Sequence, residues 1–295
     1  MAKVIEAEGG FKVWWHLMRP HTLTASFAPV LLGTAVAAVE GYELNVWMFL
    51  AMLVASLLIQ AATNMFNEYY DFKRGLDNEN SVGIGGTIVR HGVAPQTIMI
   101  IALSFYLIAM ILGVYICANS SWWLVAVGLV CMLIGFLYTG GPFPIAYSPF
   151  GELVSGAVMG MGIVLISFFI QTKIVTLDAV LISVPSMILV GAIMLSNNIR
   201  DIVGDTEGGR KTLAILVGRG AAVNILAAFF IVSFAWIIGL ILFNDLTWIA
   251  LIVFLCVKKP IDAVKLFKAK EQPLEVMPAM KWTAQTNTFF VFLLA

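Results

Sequence analysis

Eight long apolar stretches, separated by short polar connections, constrain this chain more than any other feature. A helix crosses the hydrocarbon core of a bilayer with about 20 apolar residues. By that measure spans fall near 22–39, 46–66, 97–117, 122–139, 152–171, 176–197, 221–243 and 246–257. The last is short and stops at Lys258-Lys259-Pro260. A ninth segment begins near Ala284 and ends with the sequence at Ala295, too few residues to cross, so it reads as an incomplete helix. The stretches are uniformly apolar rather than alternating, which predicts helices and not barrel strands. The expectation is an all-α integral membrane protein with about nine transmembrane helices.

Composition agrees: 61% of the 295 residues are hydrophobic and 12% are charged. A soluble domain carries roughly 25% charged residues. Too few charges are present to cover a water-facing surface, which excludes an ordinary cytosolic enzyme and a disordered chain. A nucleic-acid partner is excluded as well, because no basic footprint exists. Cys117, Cys131 and Cys256 sit in apolar runs without CxxC spacing and read as packing residues. The first 23 residues, rich in acids and aromatics, read as an interfacial helix leading into the membrane.

Lys+Arg and Asp+Glu each number 17, a net charge of zero that conceals a strong asymmetry. Of the 17 basic residues, 16 fall in the N-terminal segment and in the 67–96, 197–221 and 258–283 connections; Lys173 alone falls on the other side. The positive-inside rule places the N-terminus and those connections in the cytoplasm.

The cytoplasmic end of the second span reads TNMFNEYYDFKRGLDNEN and that of the sixth NNIRDIVGDTEGGRKT. Asn64, Asn67 and Asp71 repeat as Asn198, Asp201 and Asp205 at a constant offset of 134 residues. Separations of three and four residues put each trio on one helix face. The chain therefore reads as a single transmembrane domain over 1–295, built from repeat halves at about 20–140 and 150–258. Acids that begin inside apolar spans are costly to place there. Asp71, Asp77, Asp201 and Asp205 would repel one another, should the helix ends converge, unless a cation sat among them. An oxygen-rich donor set with no Cys or His points to Mg²⁺. Lys73, Arg74, Arg90, Arg210 and Lys211, interleaved with glycines, suit a phosphate bridged by that ion. A cation-coupled transporter also fits repeated intramembrane acids, although transporter acids tend to lie nearer the bilayer midplane.

The paired motifs, Asn67-xxx-Asp71-xxxxx-Asp77 and Asn198-xx-Asp201-xxx-Asp205, resemble those of the UbiA superfamily of intramembrane aromatic prenyltransferases. The likeness runs from Arg19-Pro20 to the eighth span. NEYYDFKRGLD, GGTIVRHG and YTGGPFPIAYSPFGE (138–152) resemble its menaquinone branch in particular. The resemblance implies a nine-helix bundle with the two acidic motifs facing each other under cytoplasmic loops. It implies Mg²⁺-dependent transfer of a polyprenyl group from a polyprenyl diphosphate to 1,4-dihydroxy-2-naphthoate, with loss of the carboxylate. Asp71, Asp77, Asp201 and Asp205 carry over as Mg²⁺–diphosphate ligands, and Asn67 and Asn198 as polar partners of the diphosphate or its metal shell. Lys211 and Arg90 carry over as phosphate clamps. Of the aromatics that could face an allylic cation (Phe66, Tyr69, Tyr70, Tyr138, Tyr147), Tyr138 stands foremost. Hydroxybenzoate-type members place a basic residue shortly after a tyrosine following the fourth span, and none follows Tyr138 here. The partner of the naphthoate carboxylate is therefore open between Arg19 and His21, with an interfacial anchor the other reading of Arg19. A different aromatic acceptor remains the alternative.

Overall fold

The computed structural model describes residues 10–76, 86–243 and 246–295, without the side chains of Phe11, Lys12 and His21. Asp77 and the glycines at 83 and 85 lie outside the described residues. The described residues fold into helices and connecting turns. In order these are α1 (Phe11–Leu17), α2 (Pro20–Val39), α3 (Val46–Lys73), α4 (Thr87–His91), α5 (Pro95–Asn119) and α6 (Leu124–Leu137). Next come α7 (Gly151–Ser155), a π-helical segment (Gly156–Gly162) and α8 (Ile163–Thr172), which run on as one rod. The chain continues with α9 (Leu177–Glu207), α10 (Leu213–Val217), α11 (Arg219–Phe243), a 3₁₀ helix (Trp248–Cys256), α12 (Lys258–Ala269) and α13 (Pro273–Leu294).

Local chemistry fixes the ends of these helices. Asn45 caps α3 by accepting from Trp47 N at 3.0 Å and Met48 N at 3.1 Å, and Thr176 caps α9 through Ala179 N. Pro20 and Pro95 occupy first helical positions, where a missing N–H costs nothing. Arg19, just before Pro20, takes a left-handed backbone (φ 49°), unusual for a residue with a Cβ.

Among the described residues six helices are long and apolar enough to cross a membrane: Thr22–Val39, Val46–Lys73, Pro95–Asn119, Gly151–Thr172, Leu177–Glu207 and Arg219–Phe243. Their outward faces carry large apolar side chains, among them Ile100, Leu107 and Val114 on α5 and Ile231 and Leu242 on α11. So extended an apolar surface suits lipid rather than water. The chain is an integral membrane protein.

Three expected spans differ from the structure. The 122–139 stretch contains a helix of only 14 residues, α6, bounded by Trp122-Trp123 and by the glycine-rich turn after Tyr138. The 246–257 stretch is a 3₁₀ helix of nine residues. At about 2.0 Å per residue this winding reaches farther than an α-helix of equal length, so a short apolar run covers more depth before Lys258. The final helix starts at Pro273, not near Ala284, and has 22 residues. Its polar residues Thr283, Thr286 and Asn287 are buried against neighbouring helices, so apolarity alone did not mark its beginning.

Helices α3 and α9 carry the two acidic motifs near their C-terminal ends. With 28 and 31 residues they extend about 42 and 46 Å at ~1.5 Å per residue. A hydrocarbon core is about 30 Å thick, so both helices are longer than it is deep. The buried side chains form separate clusters. One joins α9, α10, α11, the 3₁₀ helix, α12 and α13; another joins α1, α3, α4, α5 and α6. Helix α2 bridges them, packing on α3, α8, α9 and α13.

Two glycines let helices touch backbone to backbone. A Cβ on Gly33 would stand 2.2 Å from Val164 O, and one on Gly160 would stand 2.5 Å from Met187 Cα. Small residues at such crossings permit close helix approach in membranes. Gly33→Ala and Gly160→Ala are each expected to lower stability by about 1–3 kcal/mol through overpacking. Gly113→Ala, with nothing within 4 Å of its added methyl, should be neutral. Thermal unfolding of the three purified variants in the same detergent checks the contrast.

Candidate active site

The sequence repeat becomes a physical contact at its third position. Asp71, near the end of α3, and Asp205, near the end of α9, are joined by one side chain. Arg210 donates from Nη2 to Asp71 Oδ1 at 2.7 Å and from Nη1 to Asp205 Oδ1 at 2.9 Å. All three side chains are nearly enclosed, at 13%, 11% and 8% exposure for Arg210, Asp71 and Asp205. Burial would pull the Arg210 pKa down, but the two carboxylates more than reverse this and raise it above the ordinary arginine value. The guanidinium therefore stays charged. It also lies 5.1 Å from the Tyr147 ring, whose centroid is 5.3 Å from the Arg74 guanidinium, so two cations share one aromatic ring.

Other expected site residues have distinct surroundings. Asp201, half-buried, is held by its neighbour Arg200 through two hydrogen bonds. Asn198 donates to Glu152 Oε1 at 2.8 Å. Asn64 donates to Met18 O at 2.8 Å and Thr22 Oγ1 at 2.9 Å, and accepts from Gln60, fastening the start of α2 to α3. Arg74 donates to Thr139 O and, at 2.8 Å, to Gly141 O; these bonds tie the end of α3 to the turn after α6. Lys73 lies over the Tyr69 ring at 5.9 Å, on the exposed side of the helix. Arg90 folds its Nε back toward Gly86, 3.2 Å from where a Cβ would stand. Lys211 has an exposed side chain, and its backbone N–H donates to Tyr147 O at 3.0 Å.

Below the charged cluster lies an apolar cavity of about 380 Å³, between α2, α3, α5, α6, the π segment and α9. Arg19, Asn64, Asn67, Tyr138 and Asn197 line it along with apolar residues. Met110, Val114 and Leu129 line it too while remaining exposed on the outer surface, so the cavity opens sideways between α5 and α6. Phe66 is instead fully enclosed against Tyr106 and Phe136 and belongs to the core.

Three partners were not singled out from sequence. Glu68, 1% exposed, accepts from Gly86 N and Ile88 N and from Arg19 Nη2 at 3.5 Å. It thereby anchors the return of the chain after the first acidic motif. Glu152 and Arg200 hold Asn198 and Asp201. The available signal was a charge just inside each apolar run, a placement that asks for a partner.

Among the described residues no three His, Cys, Asp or Glu side chains gather closely enough to hold a metal. The donors that do converge, Asp71 and Asp205 with Asp201 one turn away, are all oxygen and carry more negative than positive charge with Arg210. That chemistry fits a hard divalent cation such as Mg²⁺. Removing Arg210 should expose how strongly the carboxylates repel. Breaking a buried ion pair costs about 3–5 kcal/mol. Arg210→Met is expected to lose stability on that scale in EDTA, and adding Asp205→Asn should recover much of it. Unfolding midpoints of the single and double variants provide the measurement.

The UbiA prenyltransferase family matches residues 26–292. The 1,4-dihydroxy-2-naphthoate octaprenyltransferase of Bacillus subtilis (strain 168) is 61% identical over 284 residues, covering 96% of this chain and 91% of that protein. The 1,4-dihydroxy-2-naphthoate octaprenyltransferase of Mycobacterium tuberculosis is 32% identical, covering 70% of each chain. A UbiA homolog from Aeropyrum pernix K1 has the same fold at a TM-score of 0.69 and 16% identity, covering 94% of this chain and 95% of that one. A UbiA homolog from Archaeoglobus fulgidus, solved with DMAPP and Mg²⁺, superimposes with a TM-score of 0.63 at 15% identity, covering 95% and 98%.

Proposed function

The chain belongs to the UbiA prenyltransferase family, and from that premise we propose that it transfers a polyprenyl group from a polyprenyl diphosphate to 1,4-dihydroxy-2-naphthoate with decarboxylation, a step of menaquinone biosynthesis. The observation that carries this reading is the meeting of Asp71 and Asp205 at the head of a laterally open apolar cavity. A long-chain lipid diphosphate is charged at one end and apolar along the rest, and so is this site. The naphthoate acceptor follows the 61% identical Bacillus subtilis relative.

On this reading Asp71, Asp77, Asp201 and Asp205 hold Mg²⁺, which when bound neutralises charge developing on the diphosphate leaving group. Arg210, released from the carboxylates, turns to phosphate oxygens, and Lys73, Arg90 and Lys211 add charge at the rim. Asn67 stands between the charged head and the cavity and bonds the diphosphate. The cavity excludes water from the allylic cation, and Tyr138 presents its ring to it. Arg19, which lines the cavity while its guanidinium is bonded to Glu68, is the cation assigned to the acceptor carboxylate. The 134-residue offset supports two four-helix repeats in a bundle of nine, and the basic connections support a cytoplasmic active face.

Purified protein given Mg²⁺, a polyprenyl diphosphate and a panel of aromatic acids should prenylate 1,4-dihydroxy-2-naphthoate. EDTA should abolish turnover, and Asp71→Ala or Asp205→Ala should each lower it by at least ~100-fold, the scale on which electrostatic groups act. Product from hydroxybenzoate with none from naphthoate would reverse the acceptor assignment. No product from any acid, with Asp71-dependent solute uptake in vesicles, would reverse the enzyme reading.

A further inference from the structure

A second apolar space lies beside the reaction cavity. It is a crevice of about 520 Å³ between α6 and the rod made by α7, the π segment and α8. No charged, hydroxyl or amide side chain lines it. At its outer end stand Trp123 and Phe169, whose rings meet edge to face with centroids 5.0 Å apart. From Trp123 to Ile134, the last residue of α6 in its wall, the chain rises about 16 Å at ~1.5 Å per residue.

Crevice and cavity share a seam. Leu124, Val127, Cys131 and Ile134 on α6, with Val158 and Ile166 on the rod, line both spaces. The four α6 residues follow separations of three and four, so a single stripe of that helix faces both. The seam is pinned at its outer end, where Leu124 and Phe169 belong to one buried cluster. Val127, Cys131, Ile134 and Val158 belong to none of the buried clusters, and α6 packs chiefly on α3 and α5. A helix pinned to the rod at one end and unpacked along the rest leaves a slot that leads from cavity to crevice. Size gives the slot a use. Pockets for drug-sized molecules hold about 300–1,000 Å³, so a cavity of about 380 Å³ takes the first units of a polyprenyl chain and not the whole of a long one.

We propose, resting on the reading of the chain as a polyprenyl transferase, that the crevice binds the distal isoprene units of the donor. The chain leaves the cavity through the seam between α6 and the rod and lies along α6 toward Trp123 and Phe169. The diphosphate is held at the charged head, the first units fill the cavity, and later units fill the crevice. Units beyond the aromatic pair return to the bilayer. The mouth between α5 and α6 opens directly onto lipid, whereas the crevice offers protein walls on two sides, and a chain between them makes more close contacts. Ala126 and Val130, one turn apart on α6, and Ala157 and Gly162 on the rod set the width of this path.

The test follows the end of the donor. A series of polyprenyl diphosphates of increasing length, each with a diazirine on its last isoprene unit, is bound to the whole protein with Mg²⁺ in one detergent and irradiated, and the adducts are mapped by peptide mass spectrometry. With increasing length the label should reach Val130, Leu165 or Phe169, and unlabelled donor should compete it away. A label that passes instead to Met110 and Val114 on α5, or to detergent alone, overturns the proposal. Val130, 54% exposed at the rim, has room for a larger side chain. Val130→Trp and Ala126→Phe are each expected to lower the kcat/KM preference for a long donor over geranyl diphosphate by about tenfold, the scale of a lost methylene contact in an apolar pocket. An unchanged preference in both variants overturns the proposal; if neither variant folds, the labelling of wild type decides. Labelling needs no acceptor, so crevice adducts in a protein that prenylates no aromatic acid leave the tail path standing and overturn only the reaction. Absence of any adduct that unlabelled donor displaces overturns both.

Discussion

One guanidinium between two carboxylates, all three held away from water, is the interaction on which the site depends. The apolar clusters that stabilise the two sides of the bundle are separate. At the membrane surface the ends of α3 and α9 are drawn together by Arg210, which offers one positive charge to two negative ones. The arrangement is tolerable because a delocalised, planar cation can donate from two nitrogens in two directions. It also leaves the pair under-compensated, which is the condition under which a multivalent cation gains most by entering. The neighbouring acids follow the same rule with other partners: Asp201 has Arg200, and Glu68 has Arg19 and two backbone N–H groups.

Most of the membrane architecture was legible because a run of about 20 apolar residues leaves few alternatives to a helix in lipid. The departures share a cause. α13 begins in a polar stretch, and its Thr283, Thr286 and Asn287 are hidden by other helices rather than by their own apolarity. The nine-residue 3₁₀ segment depends on how much depth a short run must cover, and α6 on where the chain must turn back. The π winding at Gly156–Gly162 accompanies backbone contact at Gly160 with α9, a partner more than twenty residues away in sequence. None of these follows from local pattern.

The site was legible to the same depth. A 134-residue repeat with spacings of three and four residues singled out Asp71 and Asp205, whose carboxylates Arg210 bridges. Spacing sets the face of a helix, however, and not what a distant element brings to it. Asn64 and Asn198 occupy equivalent positions, yet one fastens the start of α2 and the other holds Glu152. Arg74, beside Asp71 in sequence, donates to carbonyls of the turn after α6 instead of joining the carboxylates. Tyr147, considered as a face for an allylic cation, lies between two arginines.

The sideways mouth between α5 and α6 has a consequence of its own. A cavity open to the acyl region of a bilayer does not distinguish a substrate tail from any other flexible hydrocarbon of similar girth. Lipid chains, or the alkyl tails of a solubilising amphiphile, are therefore standing competitors for the same space. The effective concentration of substrate is then its mole fraction in the surrounding membrane rather than its concentration in water. Apparent affinities for the lipid diphosphate become properties of the protein and its amphiphile together, and dilution of the membrane phase acts on this enzyme as dilution of substrate does on a soluble one.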